Sequence, residues 1–296
     1  MQTMEKPLVS FIIPYYNVPL PLLRECVASI EAVDVDKEVI IINDGCDACL
    51  DEFAGSCIVR KIEHCGQAAV RNYGIEISSG EYIQFVDSDD KLITPNYQQI
   101  INVVKKEKPD MLYYNFTSRY SKESLLSYCA LCGAEYMSRH NIYGSSCNYV
   151  FRRSILGELR FTSGIIHEDE EFTPLLIVKA NKFYLTKSKG YYYRTTQGST
   201  MTKKNEEHIT KRLNDFLYVI LSLKDKKETA PDELSRKAID RRTHQLCMDY
   251  IYNIITLGRK NELKSRLQDL RENVLYPLPL KFYTWKYYLA ALITHL

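Results

Sequence analysis

An excess of either charge is missing from this chain, in which 39 Lys and Arg stand against 37 Asp and Glu over 296 residues. Proteins that grip a phosphate backbone normally carry a basic surplus, so the composition gives no support to nucleic acid as a partner. Tryptophan is nearly absent, with one residue against 23 tyrosines, and amphipathic tyrosine rings serve cores and sugar-facing clefts alike. No G-x-G-x-x-G follows the first apolar strand, which disfavours a Rossmann dinucleotide site. Met1 to Lys6 are polar and lead directly into a strand, with no apolar signal-peptide run, so a cytoplasmic protein is expected. The nine cysteines then read as reduced thiols and not as a disulfide framework. Cys46 with Cys49 and Cys129 with Cys132 have the spacing of zinc pairs, but neither is flanked by knuckle residues, and ordinary small apolar side chains are the simpler account. The run Lys281 to Ile293 is shorter than the roughly 20 apolar residues that cross a bilayer. The aromatic run Lys281 to Ile293 suits two situations equally: the interface of a membrane, with Lys281 and Lys286 beside its rings, or a final helix packed on its neighbours.

What is present is alternation. Leu8 to Ile13 and Glu38 to Ile42 are near-continuous apolar runs of the kind covered on both faces in a parallel sheet. Cys57 to Ile62 is a weaker strand, followed by Tyr82 to Val86 and Asp110 to Phe116. Between them, Leu20 to Ala32, Gln67 to Ile77 and Asn96 to Lys105 carry apolar residues at helical spacing. The fold expected is α/β, a doubly wound and mostly parallel central sheet. From Asn205 onward the pattern is helical, with Ile209, Leu213, Phe216, Leu217 and Ile220 on one face. The division expected is a catalytic domain over 1–204 and a helical appendage over 205–296.

Chemistry gathers where these strands end. In an open parallel sheet, ligands bind beyond the carboxyl ends. The strand Tyr82 to Val86 delivers Asp87, Asp89 and Asp90 into the following turn. Carboxylates two positions apart suit a divalent ion that also meets a phosphate, although Asp and Ser also simply end strands. Pro14-Tyr15-Tyr16-Asn17 and Asn43-Asp44-Gly45 leave the first two strands side by side. Tyr16 offers a ring on which a base stacks, and Asp44 accepts from an imide N–H or a ribose hydroxyl, unless it merely caps the next segment. Arg71 lies on a helix whose amino end favours an anion. Glu168-Asp169-Glu170-Glu171 is either a set of catalytic acids or the acidic first turn of a helix.

In their order, these segments resemble the inverting glycosyltransferases of family two, with the GT-A nucleotide-sugar-binding fold. Val9 to Asn17, Asn43 to Cys46, Val70 to Gly74, Gly80 to Asp90 and Glu168 to Phe172 stand for V-S-I-I-x-P-x-Y-N, N-D-G-S, A-R-N-x-G, G-E-Y-I-x-F-V-D-S-D-D and E-D-x-x-F. The departures are Phe11 for Ile, Cys46 for Ser and Val70 for Ala, which touch packing and loop geometry only. The resemblance implies that Pro14, Tyr16 and Asp44 frame the nucleoside and that Arg71 lies near the nucleotide. It implies that Asp87 and Asp89 form a D-x-D motif, with Asp89 the direct ligand of Mn²⁺ or Mg²⁺, while Asp90 holds donor-sugar hydroxyls or caps the next helix. It makes Asp169 the general base, with Glu168 its orienting neighbour or the second choice. Arg194, in Tyr191 to Thr200, resembles a Y-x-Y-R-x-x-x-x-S segment and either neutralises the leaving diphosphate or pairs with an acid of 168–171. The expected reaction is hexosyl or N-acetylhexosaminyl transfer, with inversion, from a nucleotide-sugar, UDP before GDP, to a glycan or lipid-linked saccharide in cell-surface polysaccharide synthesis. Peripheral attachment to the inner face of the plasma membrane accompanies that expectation. The competing classes are a non-catalytic nucleotide-sugar-binding module and a phosphohydrolase with Asp87 as nucleophile and Asp89 as acid.

Overall fold

The apolar runs form the parallel half of one sheet. β1 (Val9–Tyr15), β2 (Lys37–Asp44), β3 (Ile58–Ile62) and β4 (Tyr82–Phe85) lie in the order β3-β2-β1-β4, every pair parallel. The computed structural model describes residues 6–119, 127–195 and 205–296. Among these, α1 (Leu20–Glu31), α2 (Gln67–Ile77) and α3 (Thr94–Glu107) are the helices of the alternating region. Strands β1 and β2 are buried along most of their length, as strands covered on both faces must be. Helix α2 approaches β1 so closely that a Cβ on Gly74 would sit 2.4 Å from Ile12 Cγ2. On α1 the buried stripe is Leu23, Cys26, Val27 and Ile30.

Beyond β4 the sheet turns mixed. β5 (Lys91–Leu92), β6 (Met111–Thr117), β7 (Tyr128–Leu131), β8 (Tyr149–Arg152) and β9 (Phe183–Tyr192) complete it. β8 runs antiparallel between β4 and β6, and β9 runs parallel to β6. The free edge of β9 takes β7 near its start and β5 near its end, both antiparallel. The pairing of Lys91 with Tyr192 therefore ties the acid-bearing turn after β4 to the end of β9.

The chain divides into two compact units. The first comprises Met1–Leu131, Ser145–Gly164 and Lys179–Ser199, and the second Cys132–Gly144, Ile165–Val178 and Thr200–Leu296. The second is helical: α4 (Gly133–Arg139), α5 (Glu168–Ile177), α6 (Glu206–Glu228), α7 (Glu233–Thr256), α8 (Leu263–Glu272) and α9 (Trp285–Thr294). Asn205, Asp232 and Thr284 cap α6, α7 and α9 by accepting from the backbone N–H three residues on, each worth about 1 kcal/mol. Helix α6 buries Ile209, Leu213, Phe216, Val219, Ile220 and Leu223, which adds Val219 and Leu223 to the expected face and leaves Leu217 only half-buried. Helix α7 buries Arg241 and Arg242 as well as apolar residues. Arg242 Nη1 donates to the Ile142 carbonyl at 3.0 Å and Nη2 donates to Glu170 Oε2, which anchors the first turn of α5. A Cβ on Gly144 would fall 2.7 Å from Glu170 Cα, so a side chain there would collide with that turn.

Candidate functional site

The carboxyl ends of β2, β1 and β4 are neighbours, so Asp44, Tyr16 and Asp87 leave the sheet at one edge. Pro14, the next-to-last residue of β1, pairs with Ile42 and directs the chain into that edge. Tyr16 beyond it is 49% exposed, with one face of its ring already stacked. Its neighbour there is the ring of His64, 4.3 Å away and nearly parallel. Asp44 is buried and anchors the loop before α2: Oδ1 accepts from the Cys65 N–H at 2.7 Å, Oδ2 accepts from the Gly66 N–H at 3.1 Å, and His64 Nδ1 lies 2.9 Å from Oδ2. This approach requires glycine at position 45. Its φ is +80°, and a Cβ there would lie 2.6 Å from the His64 nitrogen.

Arg71 reaches from α2 to the turn after β4. Its Nη2 donates to Asp87 Oδ1 at 3.1 Å, with the guanidinium itself buried. The rings of Phe161 and Phe85 stand 5.4 and 5.9 Å from it. Asn72, beside Arg71, exchanges two hydrogen bonds with the Phe161 backbone and so holds that ring in place. Gln67 Nε2 also donates to Asp87 Oδ1. The Asp87 N–H donates to the buried Tyr191 hydroxyl at 3.0 Å, and the same hydroxyl bonds Asp90.

Asp90 is 1% exposed and accepts from the Arg194 backbone N–H at 2.7 Å. Burial, and then the charge of Asp87, push its carboxyl up to about 8. Of the two roles open to it, helix capping is not what these contacts show, since Asp90 instead pins the start of the segment after β9. The Arg194 side chain pairs with Glu25 of α1 at 2.5 Å, and Lys91 pairs with the same carboxylate at 2.9 Å. Hydrogen bonds from Arg194 and Lys91 hold the Glu25 carboxyl down to about 2. Residues 196–200 of the segment that carries Arg194 lie outside the described residues.

Glu168 and Asp169 belong to the second unit, at the start of α5. All four acids of the run occupy that first turn, where the helix dipole favours negative charge. They divide by partner. Glu170 pairs with Arg242, and Glu171 accepts from the Ser222 hydroxyl. Glu168 is 9% exposed, whereas Asp169 is only half-buried and accepts from the Glu170 N–H at 2.9 Å.

His167 precedes this turn with φ +71°, a left-handed backbone that is uncommon outside glycine and asparagine. Its ring packs edge-on against Phe216 at 4.8 Å. Burial, followed by the charge of Arg212, lowers its pKa to about 4, with Asp215 opposing and His208 adding to the effect. A folded-state pKa below the unfolded value means that the unfolded chain binds the proton first. Stability should therefore fall as pH drops from about 6.5 to about 4. His167→Asn, which suits the left-handed backbone and does not titrate, should flatten that part of a melting-temperature profile, and a profile identical to wild type would remove His167 as its source.

Residues 10–159 match the family model described as Glycosyl transferase family 2, over half of the chain. The chain belongs to that family. The putative glycosyltransferase EpsH of Bacillus subtilis (strain 168) is 30% identical over 214 residues, covering 64% of this chain and 62% of that protein. The minor teichoic acid biosynthesis protein GgaB of the same organism is 26% identical over 208 residues, covering 64% of this chain and 23% of its own length. The match thus spans less than two thirds of either relative. The crystal structure of S. aureus TarS 1-349 in complex with UDP-GlcNAc superposes with a TM-score of 0.63 at 17% identity, covering 96% of this chain and 79% of that one. The mannosyltransferase PcManGT from Pyrobaculum calidifontis in complex with GDP-Man and Mn²⁺ gives 0.54 at 13% identity, covering 98% and 87%. At these identities the structures establish the shared fold.

For this family 2 chain, the fit of a divalent ion rests on the donors present. Asp89 is a hard carboxylate, half-buried in the turn after β4. Asp87 already serves Arg71 and Gln67, and Asp90 serves Arg194 and Tyr191. Among the described residues no three His, Cys, Asp or Glu side chains converge as a metal cage. Asp89 would hold such an ion, which would supply positive charge at that turn. The residues fit such an ion. Sequence reasoning had no signal for His64, Glu25 or Phe161, each of which acts on the edge from a separate segment.

Proposed function

We propose that this glycosyltransferase moves a hexosyl or N-acetylhexosaminyl group, with inversion, from a nucleotide-sugar to a hydroxyl of a glycan or lipid-linked saccharide in cell-surface polysaccharide synthesis. The observation that carries the reading is the gathering of Tyr16, Asp44, Arg71 and the Asp87–Asp90 turn at the carboxyl edge of β2, β1 and β4. Pro14 and Tyr16 present a stacking face to the base. Asp44 lies beside them, and UDP is the donor preferred over GDP. Asp87 and Arg71 form the cradle under the diphosphate, with Asp90 fixing the Arg194 segment near it. Asp89 holds a divalent cation, Mn²⁺ or Mg²⁺, which when bound offsets charge on the departing diphosphate. Asp169 accepts the proton of the attacking hydroxyl, and Glu168 orients it.

The relatives support the class of product. GgaB is named for minor teichoic acid biosynthesis, and the TarS structure holds UDP-GlcNAc. Incubation with a panel of UDP- and GDP-sugars and saccharide acceptors, with Mn²⁺ and without, tests the reading by release of the nucleoside diphosphate as the sugar passes to an acceptor hydroxyl. Binding without release would favour a non-catalytic module, and release of inorganic phosphate a phosphohydrolase.

Asp44→Ala should weaken UDP binding by roughly tenfold, the worth of about one charge-assisted hydrogen bond. It should also lower the melting temperature, because the Cys65 and Gly66 N–H groups lose their acceptor. Calorimetry and a thermal melt on the same sample check both. A variant that binds UDP normally would strike Asp44 from the nucleoside site.

A further inference from the structure

Helix α9 packs by one face and is apolar on the other. Tyr287 and Ala291, one turn apart, are fully buried. Tyr283 before them packs at a tilt against Tyr287 at 4.9 Å, lies under Arg241 at 4.7 Å and bonds His244 of α7 at 2.9 Å. The segment is also clasped to the chain that leads into it: Leu278 N–H donates to Thr294 Oγ1 at 3.0 Å, and His295 Nε2 lies 3.0 Å from the Leu278 carbonyl. The orientation of α9 within the helical unit is therefore fixed.

At 100° per residue, Trp285, Leu289, Leu292 and Ile293 fall on the side opposite Tyr287 and Ala291. Their exposures are 64%, 51%, 38% and 69%. Phe282, 69% exposed, extends the face, and Phe282, Trp285 and Tyr288 pack against one another at 5.5 to 6.1 Å. A patch of this kind on a folded protein marks an interaction surface. Charge selects the partner. From Asn273 to Leu296 there is no Asp or Glu, while Lys281 and Lys286 flank the rings.

We infer that this face of α9 docks on the interface of a bilayer rich in anionic lipid, with Phe282, Trp285, Leu289 and Ile293 among the acyl chains and Lys281 and Lys286 at the headgroups. Aromatic rings at that depth with lysines above them follow the physics of interfacial helices. Anionic headgroups add attraction for each lysine close to the surface. No helix among the described residues is long and apolar enough to cross a membrane, so attachment through α9 is peripheral and reversible. The inference is independent of the donor and of the catalytic roles proposed above.

Trp285 is the only tryptophan in the chain, which makes its fluorescence a direct probe. Titration of the whole protein with vesicles containing phosphatidylglycerol should shift Trp285 emission to the blue and float the protein with the lipid, and pure phosphatidylcholine vesicles should do so at least about tenfold less well. Phe282→Ser with Leu289→Ser should reduce flotation about tenfold or more, and Lys281→Gln with Lys286→Gln should remove the preference for anionic lipid. All four side chains lie on the exposed side, so circular dichroism should report unchanged folding. Absence of flotation, flotation that survives Phe282→Ser with Leu289→Ser, or self-association without lipid that those changes abolish would overturn the inference, the last in favour of a second copy of the chain.

Discussion

Asp169→Asn should leave UDP-sugar affinity near wild type while lowering sugar transfer by roughly 10² to 10⁴, the range that a general base supplies. Asparagine keeps the size and polarity of the side chain and can still accept from the Glu170 N–H, so the first turn of α5 should stay formed. What it cannot do is take up a proton. Among the acids of that turn, Glu170 and Glu171 are committed to Arg242 and Ser222, and Glu168 is more deeply buried than Asp169. Glu168→Gln should therefore cost less. Single-turnover transfer and separate equilibrium binding of the donor check the two quantities. Full transfer by Asp169→Asn with a dead Glu168→Gln would move the base by one residue. Activity in both would leave the acidic turn as a helix start alone.

The parallel half of the sheet was legible because its signal is local. Apolar runs of β-branched residues between amphipathic stretches admit few other folds, and the turns after β1, β2 and β4 could be read as one edge without coordinates. The D-x-D turn was legible as residues but not as electrostatics. Burial, and then the charge of Asp87, push the Asp90 carboxyl up to about 8, and the Arg194 N–H and Tyr191 hydroxyl that oppose the shift come from a hundred residues later in the chain. Arg194 was expected to meet either a diphosphate or the 168–171 acids, and its partner is Glu25, an α1 residue that no spacing rule connects to it. The α5 turn shows why two readings of one segment need not compete. Glu170 and Glu171 behave as structural acids while their neighbours stand as candidates for chemistry. Arg242 escaped notice because a buried arginine on a helix is indistinguishable in sequence from a solvated one. Its burial depends on Glu170 and on the Ile142 carbonyl, both far away along the chain.

Asp89→Ala should reduce Mn²⁺-dependent transfer by about 10³-fold or more, since a metal that offsets charge on a leaving diphosphate supplies several kcal/mol and each 1.36 kcal/mol is a factor of ten. Chelation with EDTA should bring the wild-type protein down to the level of the variant, and should change the variant little. The fold should survive, because Asp89 is half-buried and the turn is fixed by its neighbours: Asp90 N–H donates to the Asp87 carbonyl at 3.0 Å, and Asp87 N–H to Tyr191. Asp87→Ala makes the contrast. It removes a carboxylate from the buried Arg71 guanidinium, at a cost of about 3 kcal/mol or more, so it should lower the melting temperature as well as activity. The pair of variants thus compares the carboxylate proposed for the metal with the one that holds Arg71 in the site. Should Asp89→Ala turn over donor at the wild-type rate and keep its dependence on Mn²⁺, the ion is held elsewhere, and the turn after β4 serves the sugar or the diphosphate directly.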